Sequence, residues 1–214
     1  MIMEGRGIPA KGAFPSSFTY GNDAVETVSY DPEEAKKLLE ESGWTDTDGD
    51  GYVDKDGQKL TSNWLTYPTR LEQPKLAEYA QATLKEIGID VSVNNTSDHR
   101  TYAENGEFDV YVSSLTTAPT GDPEYFFSST VTGSKNYGNY QNDEVTKLTE
   151  QLHQTFDTDE RGKLAVELQQ KILDDDAYFF VSHLNMGIVT KANVTGMAAH
   201  PCDYYEITAD LDVQ

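Results

Sequence analysis

The most specific chemical pattern in the sequence is a run of alternating carboxylates that begins at residue 46. Carboxylates stand at positions 1, 3, 5 and 9 of this loop and its sixth residue is Gly51, which is the spacing of an EF-hand calcium loop. In that loop, alternate oxygens converge on one hard cation, and position 7 contributes a backbone carbonyl. The predicted calcium ligands are Asp46, Asp48, Asp50, Tyr52 and Asp54.

The loop departs from the calcium pattern at its twelfth position, where Gly57 stands in place of a bidentate glutamate. Without that ligand, calcium affinity is expected to be weak or to need Asp56 as a substitute. The alternative interpretation is an acidic turn, stabilised by hydrogen bonds between its own backbone and its Asp side chains. Both interpretations stay open at the level of the sequence.

Histidine and cysteine form no second metal-binding motif. The histidines are scattered, with no H-E-x-x-H pair, and Cys202 is the single cysteine. His153 lies in a polar helical stretch and is expected to be solvated, whereas His183 lies in an apolar stretch and is expected in the core rather than in a cleft. The segment His200–Asp203 combines three ligand types, but neighbours around a proline rarely converge on one ion.

Motifs for covalent catalysis and for phosphate binding are absent from the sequence. There is no G-x-S-x-G nucleophile elbow and no G-x-x-x-x-G-K-[ST] loop, and the early glycines do not follow a strand as a dinucleotide fingerprint must. Because the chain has 37 acidic residues, two carboxylates that are close in sequence say little about acid–base catalysis. The sequence therefore favours a binding protein over an enzyme.

Charge and composition restrict the partners of the chain. It has 214 residues and a net charge of −21, so its surface repels phosphate backbones and anionic membranes, and nucleic acid is excluded as a partner. Its 2 Trp, 13 Tyr and 8 Phe are enough to build a globular core. No stretch is apolar enough to span a membrane, and the first residues show no export signal. A soluble globular protein is expected.

The clearest local signal for secondary structure is a helix that begins at Pro32. Asp31 is placed to cap this helix, Glu34 completes a reciprocal capping box, and Gly43 ends it. Three apolar side chains are expected to face inward, and Tyr30 is placed to close a hydrophobic staple. The inward-facing residues are Ala35, Leu38 and Leu39.

Helices and strands alternate in the next part of the chain. Strands are predicted over residues 60–67, 89–93 and 108–112, and helices over 71–87 and 98–105. Strands and helices that alternate at these spacings indicate an α/β layer architecture.

The second half of the chain predicts a helical pair followed by a buried strand. The first helix includes residues 145–152, and the second, capped at its start, covers 157–172. Residues 177–190 form the most apolar stretch and predict buried strand. Residues 1–30 have no sustained period and predict a loop that crosses a surface.

Several segments, taken in order, resemble the family-5 extracellular solute-binding proteins, which are the peptide- and nickel-binding subunits of ATP-driven importers. No single segment would suffice, but together they extend over nearly the whole chain. The matching segments are Gly7–Ala10, Phe14-Pro15, Tyr30–Leu39, Gly43-Trp44, Leu84–Ile89, Gly106–Asp109, Gly121–Pro123, Gly138–Tyr140 and Gln169–Ala177.

The resemblance implies an α/β fold of the periplasmic-binding-protein type, class II, in its peptide- and nickel-binding form. Residues 1–190 resemble the second lobe of such a bilobed protein, a mixed sheet flanked by helices. Residues 191–214 resemble the C-terminal return towards a missing first lobe. The resemblance also implies that the chain begins in the middle of a longer protein, which accounts for the lack of an export signal.

The function that this resemblance implies is solute capture for an ABC importer. A small solute, either a peptide or a nickel chelate, is held between two lobes and delivered to a membrane permease by hinge closure. The partners implied are the solute, the permease and the first lobe of the same protein, with no catalytic residue and no required cofactor. The implied location is the extracellular face of the cell membrane or the periplasm, and members of the family are commonly lipoproteins.

The resemblance leaves the solute open. The loop after the strand 108–112 lacks the aromatic and acidic anchors of dipeptide-binding relatives, and residues 131–139 lack the histidine of nickel-binding relatives. Hydroxyl groups in that loop suit hydrogen bonds to a peptide backbone or to a hydrated chelate, and two tyrosines add amphipathic faces. The candidate ligand-binding residues are Ser113, Ser114, Thr116, Thr117, Tyr137 and Tyr140.

Two other classes of function compete with solute capture. In the first, the loop Asp46–Asp54 is the working part of a calcium-dependent surface or interaction module, and the tyrosines form a face for a partner. In the second, a metal-dependent hydrolase would need histidines and carboxylates clustered in one pocket, and the spacing of these residues predicts no such cluster.

Overall fold

The computed structural model of the chain describes residues 2–199 and 207–214. The chain divides into two compact units, the first formed by Val28–Leu115 and the second by Met3–Thr27 with Thr116–Gln214. Neither boundary falls at residue 190, and the predicted change from lobe to return segment at that point stays a prediction. The segment His200–Asp203 lies outside the described residues.

Most of the strands in the described residues are two or three residues long, and the α-helices outnumber the strands that are longer than this. In chain order, the strands are β1 (Gly7–Pro9), β2 (Asp54–Lys55), β3 (Gln58–Lys59), β4 (Thr61–Thr66), β5 (Asp90–Asn95), β6 (Val110–Tyr111), β7 (Ser182–Leu184), β8 (Val194–Thr195) and β9 (Asp212–Val213). The α-helices are α1 (Pro32–Glu41), α2 (Glu72–Lys85), α3 (His99–Glu104), α4 (Glu124–Phe126), α5 (Asp143–Gln154) and α6 (Thr158–Asp174). In the described part of the chain, none of the helices has the length and apolar character that crossing a membrane requires.

The first unit is built on a three-stranded parallel sheet with the order β5-β4-β6. Strands β4 and β5 pair from Thr61 opposite Asp90 to Thr66 opposite Asn95, and the helices α2 and α3 connect the strands. Ala77 of α2 is fully buried because this helix packs against β4 and β5. The predicted α/β class, with helices flanking the sheet, is confirmed.

Helix α1 begins as the sequence predicts, but its apolar face is not buried. The Asp31 carboxylate accepts a hydrogen bond from the Glu34 N–H at 3.0 Å. After the end of the helix, Gly43 adopts the left-handed backbone conformation with φ +85°. Leu38, however, is 53% exposed and Tyr30 is 81% exposed, so the inward orientation of Leu38 and the staple at Tyr30 are wrong. The capping signal is local, whereas burial depends on what lies opposite the helix.

The second unit has an aromatic and aliphatic core. Helices α5 and α6 contribute the apolar faces that their sequence periods predict, since Leu152, Leu168 and Ile172 are fully buried. The core also contains Ala13, Phe14 and Tyr20 from the start of the chain. The prediction that residues 1–30 cross a surface is therefore wrong for this part of the segment. Among the described residues, the buried members of this cluster are Ala13, Phe14, Tyr20, Phe126, Phe127, Val131, Val145, Leu152, Leu164, Ala165, Leu168 and Ile172.

The apolar stretch at residues 177–190 forms less strand than predicted. Its strand β7 is three residues long, half-buried, and pairs antiparallel with β1. Phe179 is 75% exposed and Val189 is 97% exposed. The stretch therefore contributes a strand, as predicted, but the prediction that this strand is buried is wrong. His183, on β7, is half-buried, and burial lowers its pKa.

Arg161 joins three segments of the second unit. Its guanidinium donates to both oxygens of Asp122 at 2.7 and 2.9 Å, and to Glu124 at 2.9 Å. It also donates to the carbonyl oxygens of Leu152 and Thr155, each at 2.6 Å, so it reaches the end of α5 from α6. The side chain of Arg161 is only 14% exposed.

His153 lies next to this network and is solvated, as predicted. Its side chain is 76% exposed, and Nδ1 makes a hydrogen bond to the Glu124 carboxylate at 2.6 Å.

Candidate functional site

The acidic loop brings three of its five predicted ligands together. Asp46, Asp48 and Asp50 each offer a carboxylate oxygen, and these atoms all lie within 4.8 Å of one another on an exposed surface. Asp50 also forms an ion pair with Lys59 at 2.5 Å, which lowers the pKa of this carboxyl group. The geometry thus assembles a small anionic cluster with one lysine already beside it.

Hydrogen bonds within the loop account for the positions of its carboxylates. Asp46 accepts from the N–H groups of Gly49 and Gly51 at 2.7 and 3.0 Å. Asp54 is occupied by Thr47, whose N–H and hydroxyl both donate to it. These are the side-chain-to-backbone bonds of an Asx-type turn, so the loop is ordered by its own residues.

The six predicted ligand-binding residues are divided between the two units. Ser113 and Ser114 lie in the first unit and are half-buried, and the Ser114 N–H donates to the hydroxyl of Tyr67 at 3.1 Å. Thr116 belongs to the second unit and is exposed. Tyr137, also in the second unit, is half-buried.

Two of the predicted residues hold the second unit together through their hydroxyl groups. Thr117 donates to the Ala13 carbonyl oxygen at 2.9 Å, and Tyr140 donates to the Asp175 carboxylate at 2.5 Å. Burial, together with the hydrogen bond to Asp175, raises the pKa of Tyr140. Both hydroxyl groups are therefore engaged by the protein itself, although each retains acceptor capacity.

The sequence analysis missed a cluster of rings at the carboxyl end of the parallel sheet. Tyr67 follows the last residue of β4, His99 begins α3 after β5, and Tyr111 ends β6. The rings of Tyr67 and His99 stack with centroids 4.2 Å apart, and His99 Nδ1 lies 2.5 Å from the Tyr111 hydroxyl. We call these three residues the strand-end cluster.

Burial favours the neutral form of the imidazole in the strand-end cluster. Desolvation lowers the pKa of His99, and the positive charge of Arg100 lowers it further. The ring is half-buried, and Nε2 makes no hydrogen bond to any residue in the described ranges. Unlike Nε2 of His183, Nε2 of His99 is not shut off from solvent.

The same edge of the sheet carries two arginines that form no ion pair with a described residue. The chain has four arginines, and two of them, Arg6 and Arg161, form ion pairs. Arg70 lies in the connection after β4 and Arg100 in the first turn of α3 after β5, and neither forms an ion pair with a described residue. In a chain with a net charge of −21, unpaired guanidinium groups at one sheet edge favour an anionic ligand.

A general rule could have located this edge before the structure did. In open α/β sheets, ligands bind outside the carboxyl ends of the strands. The residues directly after the predicted strands 60–67 and 89–93 were therefore the ones to inspect, and they include Arg70 and His99.

Comparison with known proteins identifies relatives over nearly the whole chain. Residues 1–138 match the family described as bacterial extracellular solute-binding proteins, family 5 Middle. The oligopeptide-binding protein AppA of Bacillus subtilis is 32% identical, over 90% of this chain and 37% of its own length. The nickel-binding periplasmic protein of Escherichia coli K12 is 28% identical, over 88% of this chain and 37% of its own length.

Solved structures match the fold as well. Bacillus subtilis AppA in complex with a nonapeptide gives a TM-score of 0.78 at 26% identity, covering 95% of this chain and 42% of that chain. A nickel ABC transporter protein of Bacillus halodurans gives 0.77 at 28% identity, covering 99% of this chain and 45% of that chain. The chain spans less than half the length of these relatives.

Proposed function

The chain belongs to the bacterial extracellular solute-binding proteins of family 5, and on that premise we propose that it serves solute capture for an ATP-driven importer. The relatives are named for binding oligopeptides and nickel, and none of those described above is named for catalysis. The proposed setting is the extracellular face of the membrane or the periplasm, and the proposed partners are a small solute and a membrane permease.

The observation that supports this proposal most directly is the carboxyl edge of the sheet in the first unit. Parallel strands, connecting helices and an edge with polar side chains form the usual arrangement of a small-molecule site in an α/β protein. Tyr67, His99 and Tyr111 provide rings and hydrogen-bonding atoms, and the nearby loop connections provide Arg70 and Arg100. This edge is the proposed binding site for the solute.

A carboxylate on the solute is the group that this edge fits. A guanidinium group recognises a carboxylate by two parallel hydrogen bonds, and Arg70 has no competing acidic partner among the described residues. Both classes of solute named for the relatives can carry such a group, at the end of a peptide or on an amino-acid chelator. The arginine is thus expected to contribute to affinity for either class.

Replacing Arg70 with glutamine is expected to weaken binding of a carboxylate-bearing probe about 10- to 100-fold, since a hydrogen bond to a charged group is worth about 1.5–3 kcal/mol. Two probes are titrated into the ¹⁵N-labelled chain: penta-alanine with a free carboxyl end, and nickel with L-histidine. Binding is read from amide shifts and line broadening. Amides after β4 and β5 are expected to respond first.

The matched control for this titration is Lys147→Gln, because Lys147 is an exposed cation on α5 in the other unit. Binding of neither probe to the unmodified chain would overturn the assignment of the solute site to this edge. An equal loss of affinity in both variants would show that overall charge, and not Arg70, attracts the solute.

Calcium binding by the acidic loop is a separate proposal, supported by the three converging carboxylates. Millimolar calcium chloride is expected to raise the melting temperature, and Asp48→Asn is expected to remove this shift because it takes one charge from the cluster. The exposed Asp23 in the second unit supplies the control, as Asp23→Asn. An unchanged melting temperature with calcium would leave the loop as a self-stabilised turn.

A further inference from the structure

A glutamine at the start of α2 is almost completely buried. Gln73 is 3% exposed, although glutamine is a residue type that lies mostly at protein surfaces. A buried amide group without hydrogen-bond partners costs free energy, so a buried glutamine usually has a partner on each side of its amide. The partners of Gln73 therefore indicate what its burial achieves.

The amide of Gln73 fits between two backbone groups of the segment that follows β6. These neighbours fix its orientation: the amide nitrogen donates to the Val112 carbonyl oxygen, and the amide oxygen accepts the Ser114 N–H, each at 3.3 Å. The reverse orientation would set nitrogen against N–H and oxygen against oxygen. Gln73 thus joins α2 to residues 112–114, which we call the anchored segment.

Two further hydrogen bonds hold the anchored segment. The Val112 N–H donates to the Leu65 carbonyl oxygen at 2.9 Å, which extends the pairing of β6 with β4. The Ser114 N–H also donates to the hydroxyl of Tyr67 at 3.1 Å, so Tyr67 and Gln73 share it. In the described ranges, no donor other than Gln73 bonds to the Val112 carbonyl oxygen. Loss of the amide would therefore leave this carbonyl without a donor from those residues.

The anchored segment contains two of the candidate ligand-binding residues, Ser113 and Ser114. Unlike the hydroxyl groups of Thr117 and Tyr140, their hydroxyl groups form no hydrogen bond with a residue that the structure describes. They stay available to a solute, and their positions depend on the backbone that Gln73 holds. A segment that is held in place before the solute arrives does not pay the cost of becoming ordered on binding.

We propose that Gln73 is a positioning residue for solute binding: its buried amide fixes the anchored segment, which then presents Ser113 and Ser114 to the solute. Gln73 itself does not contact the solute. The proposal rests on the proposed function, and it assigns part of the affinity to a residue of α2 that lies behind the site.

The chemistry of the amide separates this role from simple packing. Gln73 donates a hydrogen bond on one side and accepts one on the other. A protonated carboxyl group of nearly the same shape can do both, whereas a carboxylate only accepts and would face the Val112 carbonyl oxygen. A packing role would depend on shape and apolar contact, and it would not need a donor.

Gln73→Glu is therefore expected to make solute affinity depend on pH. At about pH 5.5 the introduced carboxyl group is expected to be protonated, since burial raises its pKa, and affinity for penta-alanine stays within about twofold of the unmodified chain. At about pH 7.5 the ionised group leaves the Val112 carbonyl without a donor, and affinity is expected to fall about tenfold.

The measured quantity is the ratio of the dissociation constants of the variant and the unmodified chain at each pH. It comes from amide shifts of the ¹⁵N-labelled chain, with nickel and L-histidine as the probe if the peptide does not bind. Because the ratio is taken at one pH at a time, protonation of the probe or of His99 affects both chains alike.

Gln81→Glu is the matched control. Gln81 lies on the same helix, and its amide nitrogen donates to the Val91 carbonyl oxygen of β5 at 2.6 Å. This substitution brings the same charge into the same unit and also sets a carboxylate against a backbone carbonyl, but it leaves the anchored segment untouched. Its affinity ratio is expected to stay constant between the two pH values.

Gln73→Met tests the anchored segment at both pH values. It keeps the length of the side chain but has neither donor nor acceptor, so affinity is expected to fall about tenfold regardless of pH. Without any solute, the amide signals of Val112 and Ser114 are expected to shift, and the Ser114 N–H is expected to exchange faster with solvent. Thermal melting shows whether each variant is folded.

The outcomes separate this proposal from the function beneath it. An affinity ratio of Gln73→Glu that does not change with pH overturns the positioning role and leaves solute capture standing. An equal pH response in Gln81→Glu also overturns it, because general destabilisation would then explain the loss. If the unmodified chain binds neither penta-alanine nor nickel with L-histidine, the solute site and the role of Gln73 are both overturned.

Discussion

Replacing Arg161 with methionine is expected to lower the free energy of unfolding of the second unit by about 3 kcal/mol, because removal of one partner from a largely buried ion pair leaves uncompensated charge behind. Arg161 makes five hydrogen bonds, two of them to Asp122 and one to Glu124. The expected loss lies at the low end of the range for buried pairs, since the side chain of Asp122 is 40% exposed.

This loss is measured by urea denaturation, with unfolding followed by far-UV circular dichroism. The control is Lys163→Met, two residues further along the same helix, where an exposed lysine pairs with Glu160 at 2.6 Å. Ion pairs on the surface contribute little because solvent screens them, so the control is expected to be nearly neutral. Equal losses in the two variants would mean that Arg161 acts only as a surface charge.

The contribution of this network also has a defined dependence on pH. Burial opposes the charged forms of Asp122 and Glu124, but hydrogen bonds from Arg161 outweigh it and hold the pKa of both carboxyl groups below the usual values. Groups whose pKa is lower in the folded state stabilise the protein above their unfolded pKa, and that stability is lost as the pH falls through the folded pKa. The Arg161→Met variant is therefore expected to lose less stability on acidification.

Local signals in the sequence predicted helix starts well. The Glu34 N–H donates to the Asp31 carboxylate, and Asp157 caps α6 in the same way. Each of these caps joins residues within three positions of one another. Such contacts form in nearly any tertiary context, so residue type and spacing determine them. Burial behaves differently, as Leu38 and Phe179 show, because an apolar residue is buried only where another part of the chain covers it.

The same distinction explains which parts of the candidate site the sequence revealed. The convergence of Asp46, Asp48 and Asp50 was predictable because one short loop contains all three. The cluster of Tyr67, His99 and Tyr111 depends on the pairing of three strands, and its members are separated by 12 to 44 residues. Thr117 and Tyr140 likewise bond to distant partners, which no periodicity could indicate.

Replacing Phe14 with alanine is expected to destabilise the second unit by about 3–5 kcal/mol, the usual cost of removing a fully buried phenylalanine. Phe14 has no exposed surface, and its ring contacts Tyr20 edge-on at 5.0 Å and lies 6.0 and 5.9 Å from Phe126 and Phe127. Truncation removes these aromatic contacts and leaves a cavity between segments more than a hundred residues apart in the chain.

The control for this substitution distinguishes the observed core from the surface loop that the sequence predicts. Phe156, which lies between α5 and α6, is 92% exposed, and Phe156→Ala is expected to change the free energy of unfolding by no more than about 0.5 kcal/mol. If residues 3–27 merely crossed a surface, the two variants would unfold at the same urea concentration. If only Phe14→Ala lowers the free energy of unfolding, this aperiodic segment is part of the core. A few large apolar side chains suffice to anchor a stretch that forms little regular structure.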